Sequence, residues 1–258
     1  MILPSGNPDM NDYAKKMLID WVKQGGTLIS NNSSTRSIIS SDDIGSVKNL
    51  NTTFEETESY NIDLMREIYS LDDIVDITDA NINKIKLDIT YPWESPDISY
   101  DSKQLEMRDK WQSLLMPSGS IVAARIDSDH WLTFGSENIV PVLYGNNPIL
   151  MTDGNSEAVL RIGELIPNED IQTNRTINWS QIPAGYDMNV RMSGLVWPEA
   201  SQRIANSAYL TREKIGKGQI IMFAGEPNFR AAARGTNRLF LNAVIYGPGL
   251  GTDMLVTP

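Results

Sequence analysis

The hydrophobic pattern over the first forty residues predicts a strand, an amphipathic helix and a second strand. "MILPSG" is a short apolar run that ends in a Pro-Ser-Gly turn. The next segment, "NDYAKKMLIDWVKQGG", places apolar residues at the spacing of a helix packed on a sheet: Tyr13, Ala14, Met17, Leu18, Trp21 and Val22. Asn11 or Asp12 can cap this helix and Gly25 can end it. Since the strand "TLIS" follows directly, we expect a parallel βαβ unit.

Residues 40–118 are acidic, rich in Asn, Asp, Ser and Thr, and less periodic. Two stretches within them, "NIDLMREIYSL" and "SKQLEMRDKWQSLL", have the composition of helices, and "TYPWESPDISYDS" is a proline-rich connection. We interpret residues 40–118 as an insertion or an irregular cap. The remainder forms an α/β core, within a single domain of residues 1–258.

From Ser120 onward, short apolar runs separated by turn residues predict strands: "SIVAARI", "IVPVLY", "PILMT", "EAVLRIGEL", "SGLVW", "AYLTREKI" and "GQIIMFA". The glycines at 216 and 218 precede a strand and not a helix, so they indicate a hairpin turn and not a phosphate loop. "GTNRLFLNAVIYGPG" predicts a final helix capped by Thr236. This helix is apolar nearly all round, so we expect it to be buried.

Composition excludes several classes of function. The net charge of -11 disfavours nucleic acid as a partner. No run approaches the twenty or so apolar residues of a membrane helix, so no membrane insertion is expected. The chain has no Cys and one His, which removes a thiol nucleophile and any self-contained catalytic zinc site. No metal and no cofactor are therefore predicted in this chain.

The polar stretch after "TLIS" is the first candidate for chemistry. Open α/β enzymes often place a reactive side chain where such a strand ends. Here the turn contains Ser33 and Ser34, either of which could act as a nucleophile with His130 as base. The glycines of a G-x-S-x-G elbow are missing, so the favoured interpretation is a polar loop that leaves a strand.

His130 lies in a second candidate segment, "RIDSDHWLTFG". Asp127 and Asp129 could share one face and hold a hard cation, whereas Asp129 and His130 would point to opposite faces of an extended chain. The favoured interpretation is a strand end in which His130 caps backbone groups and Trp131 packs.

A third candidate is a local excess of positive charge between residues 203 and 238. This segment contains two acidic residues and seven basic ones, which are Arg203, Arg212, Lys214, Lys217, Arg230, Arg234 and Arg238. A helix would align the last three, because they are four residues apart. The segment could form a docking face for an acidic partner or a carboxylate. The alternative is solvated charge with local ion pairs.

Several blocks together resemble a known family. They are "LPSG", "LIDWVKQGGTLIS", "PSGSIVAARIDSDHWLTFGSENIVPVLY", "MSGLVWPE" and "GKGQIIMFAGEPNFRAAARGTNRLFLNAVIYG". In this order they resemble the class I glutamine amidotransferase-like domain that follows the catalytic domain in some bacterial zinc carboxypeptidases of the carboxypeptidase A type. The resemblance spans nearly the whole chain, and residues 40–118 match least well.

The resemblance implies a flavodoxin-like, doubly wound sheet without amidotransferase chemistry, since the elbow cysteine of that family has no counterpart here. The His130 segment corresponds to an "H-P-L-x-x-G" element with Trp131 in place of Pro, and we interpret it as structural. The H-x-x-E zinc ligands of the peptidase are absent, so peptidase activity would lie elsewhere in a parent chain.

In such a domain "MILPSG" would be an inner strand preceded by one or two βα units. We therefore expect this chain to be the tail of a longer protein, in which Met1 is an internal residue or a misplaced start. Proteins of the resembled type are typically exported, which implies a periplasmic or cell-envelope location.

The sequence thus predicts a non-catalytic accessory domain that packs on or regulates the peptidase domain of the same parent chain. The basic segment 203–238 is its expected contact face. Two alternatives stay open: a small serine hydrolase that uses Ser33 or Ser34 with His130, and a glycan- or ligand-binding module. A homo-oligomer is also open as an assembly.

Overall fold

A computed structural model of the chain describes residues 1–6, 10–40, 44–71 and 101–253. These residues form an α/β fold in which helices pack on a mixed central sheet. The helices are α1 (Asp12–Lys23), α2 (Ser33–Ile39), α3 (Thr57–Leu71), α4 (Ser102–Ser113), α5 (Pro198–Ile204) and α6 (Arg234–Tyr246). The strands are β1 (Ile2–Leu3), β2 (Thr27–Asn31), β3 (Lys48–Asn49), β4 (Ser120–Ile126), β5 (Ile139–Tyr144), β6 (Leu150–Met151), β7 (Ser156–Ile162), β8 (Glu164–Pro167), β9 (Arg175–Ile177), β10 (Ser180–Ile182), β11 (Tyr186–Asn189), β12 (Arg191–Ser193), β13 (Ala208–Ile215) and β14 (Gly218–Phe223).

The described part of the central sheet has ten strands in the order β1-β2-β14-β13-β7-β4-β12, with β5 paired to β4 and the β3–β6 pair joined to β13. Strands β1, β2 and β14 run parallel. The remaining neighbours in this sheet are antiparallel. The parallel strand–helix–strand unit predicted at the start is confirmed, and so is the hairpin between β13 and β14. Two small antiparallel pairs, β8–β11 and β9–β10, complete the described strands.

Helix α1 sits over the first parallel strands as its pattern predicts. The Asn11 side chain caps it by accepting a hydrogen bond from the Ala14 N–H, at 2.9 Å. Its end passes so close to the start of β14 that a Cβ at Gly218 would lie 2.1 Å from the Val22 carbonyl oxygen and 2.3 Å from that of Gly26. Because backbone atoms cannot move aside as a flexible side chain can, this crossing requires glycine at position 218.

Helix α6 departs from the prediction in two respects. It begins at Arg234, and Thr236 is therefore not its cap: the Thr236 hydroxyl donates to the Pro227 and Ala233 carbonyl groups from inside the first turn. The expected full burial is also wrong. Leu241 and Ile245 are exposed, because α6 covers the sheet with one face and no described element lies over the other.

The predicted strand "SGLVW" is wrong for most of its length. Strand β12 ends at Ser193, Gly194 turns the chain with a φ of +87°, and Leu195 and Trp197 are exposed. The apolar run is short enough to form a strand, but in the structure the chain bends here at the surface. This is the ambiguity that short apolar runs carry.

The described parts of the acidic stretch, residues 44–71 and 101–118, contribute to the common core. Strand β3 pairs with β6 at the central sheet, and Leu64 and Leu105 join the main cluster of buried hydrophobic side chains. Arg161 on β7 forms a bidentate ion pair with Glu67 on α3, in which each of the two N–O distances is 2.8 Å. The proline-rich "TYPWESPDISYDS" lies, apart from its last two residues, outside the described residues.

Candidate functional site

Three parallel strands end at one edge of the sheet, and their loops form the candidate site. Strands β1, β2 and β14 lead into the segments 4–6, 32–34 and 224–233 respectively. Ligands of open α/β proteins usually bind outside the carboxyl ends of parallel strands. This edge is therefore where the fold favours a functional site.

The turn between β2 and α2 has a strained backbone at Asn32, with φ of 47° and ψ of -114°. The Asn32 N–H donates to the Phe223 carbonyl at 3.1 Å, and its carbonyl accepts from the Arg36 N–H at 3.0 Å. Thr35 supports the turn because its hydroxyl donates to the same Phe223 carbonyl. A sharp, strained turn from strand to helix is the backbone form of a nucleophile elbow.

The side chain at the apex of this turn is not a nucleophile. Asn32 carries an amide, and its side chain makes no capping hydrogen bond to α2. The preceding Asn31 is buried, and its Oδ1 atom has no hydrogen-bond partner. The turn thus combines the geometry of an elbow with a side chain that cannot attack a carbonyl group.

Ser33 and Ser34 connect α2 to the loop after β1. The Ser33 hydroxyl accepts a hydrogen bond from the Gly6 N–H at 2.8 Å and lies 3.3 Å from the Ser5 hydroxyl. The Ser34 hydroxyl is buried and donates to the Pro4 carbonyl group. Both serines therefore have structural partners.

The structure does not bring His130 to these serines. Its Nδ1 atom accepts a hydrogen bond from the Leu132 N–H, so the proton lies on Nε2, which is 3.2 Å from the Glu157 carboxylate. Glu157 belongs to β7, and three strand spacings of about 4.8 Å separate β7 from β2. The interpretation of His130 as a group that caps the backbone is confirmed, and Trp131 packs against the core.

Glu157 joins His130 to Arg212 in a small charged cluster. The Arg212 guanidinium approaches the Glu157 carboxylate at 3.1 and 3.2 Å. The hydrogen bond from His130, together with the nearby Arg212 charge, lowers the pKa of Glu157. This cluster ties β7 to β13 and to the segment that contains His130.

Asp127 and Asp129 lie in a turn that follows β4. The Asp127 carboxylate accepts the Asp129 N–H at 3.0 Å. In the part of the chain that the structure describes, no group of three or more His, Cys, Asp and Glu side chains is arranged to hold a metal ion.

Three members of the predicted basic face are engaged in internal ion pairs. Arg203 on α5 holds Asp109 on α4 through bonds of 2.6 and 3.1 Å, and both side chains are largely buried. Arg212 is bound to Glu157 as described above. Lys214 pairs with Asp253 at 3.0 Å. Arg203, Arg212 and Lys214 therefore form local ion pairs, which was the alternative to a docking face.

The other four, Lys217, Arg230, Arg234 and Arg238, are exposed. The expected alignment of three arginines on one helix is wrong, because Arg230 precedes α6. It lies in the 3-10 turn Phe229–Ala231 with a φ of 50°, and its guanidinium stacks over the Phe229 ring at 5.1 Å. Arg234 and Arg238 are one turn apart on α6. The seven residues therefore do not form one continuous face.

The structure places further polar groups at this edge that sequence patterns did not indicate. Tyr209 Oη and Asn147 Nδ2 both lie beside Gly225, buried and without hydrogen-bond partners. Burial raises the pKa of Tyr209 above its ordinary value. The two side chains are 62 residues apart in the sequence, so no local pattern could have paired them.

Comparison with known proteins adds no relative. No family model, no curated protein and no solved structure matched the chain. Among the described helices, none is long and apolar enough to span a membrane.

Proposed function

We propose that this chain is a non-catalytic domain of the class I glutamine amidotransferase-like type with a flavodoxin-like, doubly wound sheet. The observation that carries the proposal is the strained turn at Asn32. Such backbone strain costs of the order of 1–3 kcal/mol and is usually retained where a catalytic side chain needs it. An elbow with an amide at its apex fits descent from an enzyme whose nucleophile has been replaced.

The proposed role is to pack on the peptidase domain of a zinc carboxypeptidase and to stabilise it or shape its substrate access. The support for this partner is the resemblance of the sequence blocks quoted above, and the same resemblance supports a periplasmic or cell-envelope location. The exposed residues Arg230, Arg234 and Arg238 are candidate polar contacts at the rim of such an interface.

An apolar surface around β1 is the better candidate for its centre. Strand β1 is the last strand on its side of the described sheet. Large exposed side chains surround it on the sheet and on α1: Met1, Ile2, Tyr13, Met17 and Trp21. A cavity of about 500 Å³ continues this surface between Trp21 and Val244. Edge strands with exposed apolar neighbours favour association with another folded unit.

The first test is the mass of the native protein in its source cells, detected with an antibody against this chain. We expect a band much heavier than the 28.8 kDa of these residues, because the partner domain belongs to the same parent chain. A band at 28.8 kDa together with a monomeric protein in sedimentation would contradict the proposal. A band at that mass together with a dimer in sedimentation would mean that the surface around β1 contacts a second copy of this chain and not a peptidase domain.

In the full-length protein, Met17→Glu places a charge within the proposed interface. We expect it to lower the temperature at which the peptidase activity is lost on heating. Met107→Glu is the matched control, because Met107 is exposed on α4, away from β1. Equal effects of the two substitutions, or no effect of either, would argue against packing through this surface. A direct assay of the chain for amide and ester hydrolysis should detect no turnover.

A further inference from the structure

A cavity of about 380 Å³ opens between α2, α4 and the loop that follows β5. We call it the Arg36 cavity, after the residue that α2 contributes. Its apolar lining comes from Phe54, Pro148 and Ile149, and its walls are polar. Volumes of about 300–1,000 Å³ with an apolar base and a few convergent polar groups are typical of small-molecule sites.

The charged groups of the polar walls are three cations, Arg36, Lys110 and Arg203, and two carboxylates, Glu106 and Asp109. The Arg36 guanidinium donates through Nη2 to the Asn146 carbonyl at 2.7 Å. No carboxylate of the described residues lies within ion-pair distance of Arg36, whereas the cations Lys110 and Arg203 each hold a carboxylate of α4. The cavity therefore carries one positive charge that its own lining does not neutralise.

Asn147 adds a donor that has no acceptor. Its Nδ2 atom is shielded from solvent and has no hydrogen-bond partner, although the residue lines the cavity. A buried donor without a partner costs about 1–3 kcal/mol, and a bound acceptor would recover that cost by drawing the amide from its place beside Gly225 into the cavity. The cavity is thus lined by the Arg36 guanidinium, which has a backbone acceptor but no carboxylate partner among the described residues, and by the Asn147 amide, whose Nδ2 atom has no acceptor.

The cavity lies at the edge of the sheet that carries the elbow. Arg36 is one helical turn after Asn32 and donates its backbone N–H to the Asn32 carbonyl. The Asn147 amide lies next to Gly225, which follows β14. The site therefore uses the same strand ends as the elbow but is built from different side chains.

We propose that the Arg36 cavity binds a small oxygen-rich anion, a carboxylate-bearing compound of about the size of a sugar acid. Arg36 would hold the carboxylate through charge-assisted hydrogen bonds, and Asn147 would donate to a neighbouring oxygen. The binding function is additional to the proposed accessory role and does not depend on the peptidase partner. The chain as a whole carries a net charge of -11, so an anion would bind here through local contacts against an unfavourable average field.

Isothermal titration of the 258-residue chain with D-glucuronate, D-glucose and D-glucose 6-phosphate tests the proposal. We expect glucuronate to bind with one-to-one stoichiometry and glucose to bind at least tenfold more weakly, since it lacks the charge. Glucose 6-phosphate distinguishes the anionic group that the site prefers. Failure of both anions to bind at millimolar concentration, or equal binding of glucose, would overturn the proposal.

Arg36→Gln should weaken glucuronate binding by about 10- to 100-fold, the range that the loss of one charged hydrogen bond predicts. Arg66→Gln is the matched control, because Arg66 is an exposed arginine on α3 outside the cavity lining. Asn147→Ala should weaken binding as well. Circular dichroism would establish that each variant is folded, and unchanged affinity in a folded Arg36→Gln variant would contradict the assignment.

Discussion

Substitution of Asn32 by glycine should stabilise the protein. Asn32 occupies a φ of 47° with a ψ of -114°, a region that non-glycine residues rarely adopt. Release of such strain is worth about 1–3 kcal/mol. Glycine increases the entropy of the unfolded chain, which offsets about 0.4–1 kcal/mol of that gain. The Asn32 side chain makes no capping bond, so its removal costs little.

The net expected gain in the free energy of unfolding is about 1 kcal/mol, which corresponds to a rise in Tm of about 2–4 °C for a chain of this size. Urea titration followed by tryptophan fluorescence would measure the free energy, and calorimetry would measure Tm. Asn31→Gly is the matched control. Asn31 lies in the extended strand β2, where glycine should destabilise by about 0.5–1 kcal/mol.

A loss of stability in Asn32→Gly as large as that in Asn31→Gly would refute the argument. It would mean that the turn carries no strain and that the comparison with a nucleophile elbow has no energetic basis. Asn32→Val provides an independent check, because a β-branched side chain at positive φ should destabilise the turn.

Two further predictions concern buried charges. Asp109→Ala should destabilise the protein by about 3–5 kcal/mol in urea titration, because it leaves the buried Arg203 guanidinium without its partner. The double variant Asp109→Leu with Arg203→Met should recover most of that loss. If it does not, the ion pair does more than join α4 to α5. Burial raises the pKa of Glu213 above that of glutamate in the unfolded chain. The folded protein therefore loses stability as the pH rises from the unfolded pKa through the folded pKa, because the buried carboxyl group must then ionise. Glu213→Gln should therefore gain stability relative to the unmodified protein as pH rises from 4 to 7, and a constant difference across that range would contradict the assignment.

The sequence pattern predicted correctly those elements that depend on residues close together in the chain. The stripe of α1 and the Asn11 cap are properties of adjacent residues, and the structure has both. The hairpin at Gly216 follows from two glycines between apolar runs. Helix α6 was located correctly, but its burial was not, because the burial of Leu241 depends on elements that the helix sequence does not specify.

The strand directions and the site required contacts between distant segments. An apolar run has the same pattern in parallel and antiparallel pairs, so the antiparallel strands β13, β7 and β4 could not be distinguished from parallel ones. The sequence located the turn that contains Ser33 and Ser34 and predicted a polar loop there, because the glycines of a G-x-S-x-G elbow are missing. The strained backbone of this turn became evident from the structure alone, and so did the joining of Arg36 and Asn147 at one cavity.

The crossing at Gly218 has a consequence for recognising relatives of this chain. A methyl group there would overlap two backbone carbonyls, so every homologue that keeps this crossing must keep glycine at that position. Surface loops and exposed side chains can change freely among relatives, whereas this steric requirement at position 218 cannot. A sequence profile anchored on Gly218, the apolar strand that follows it and the Asn32 turn would therefore detect distant family members that overall similarity misses.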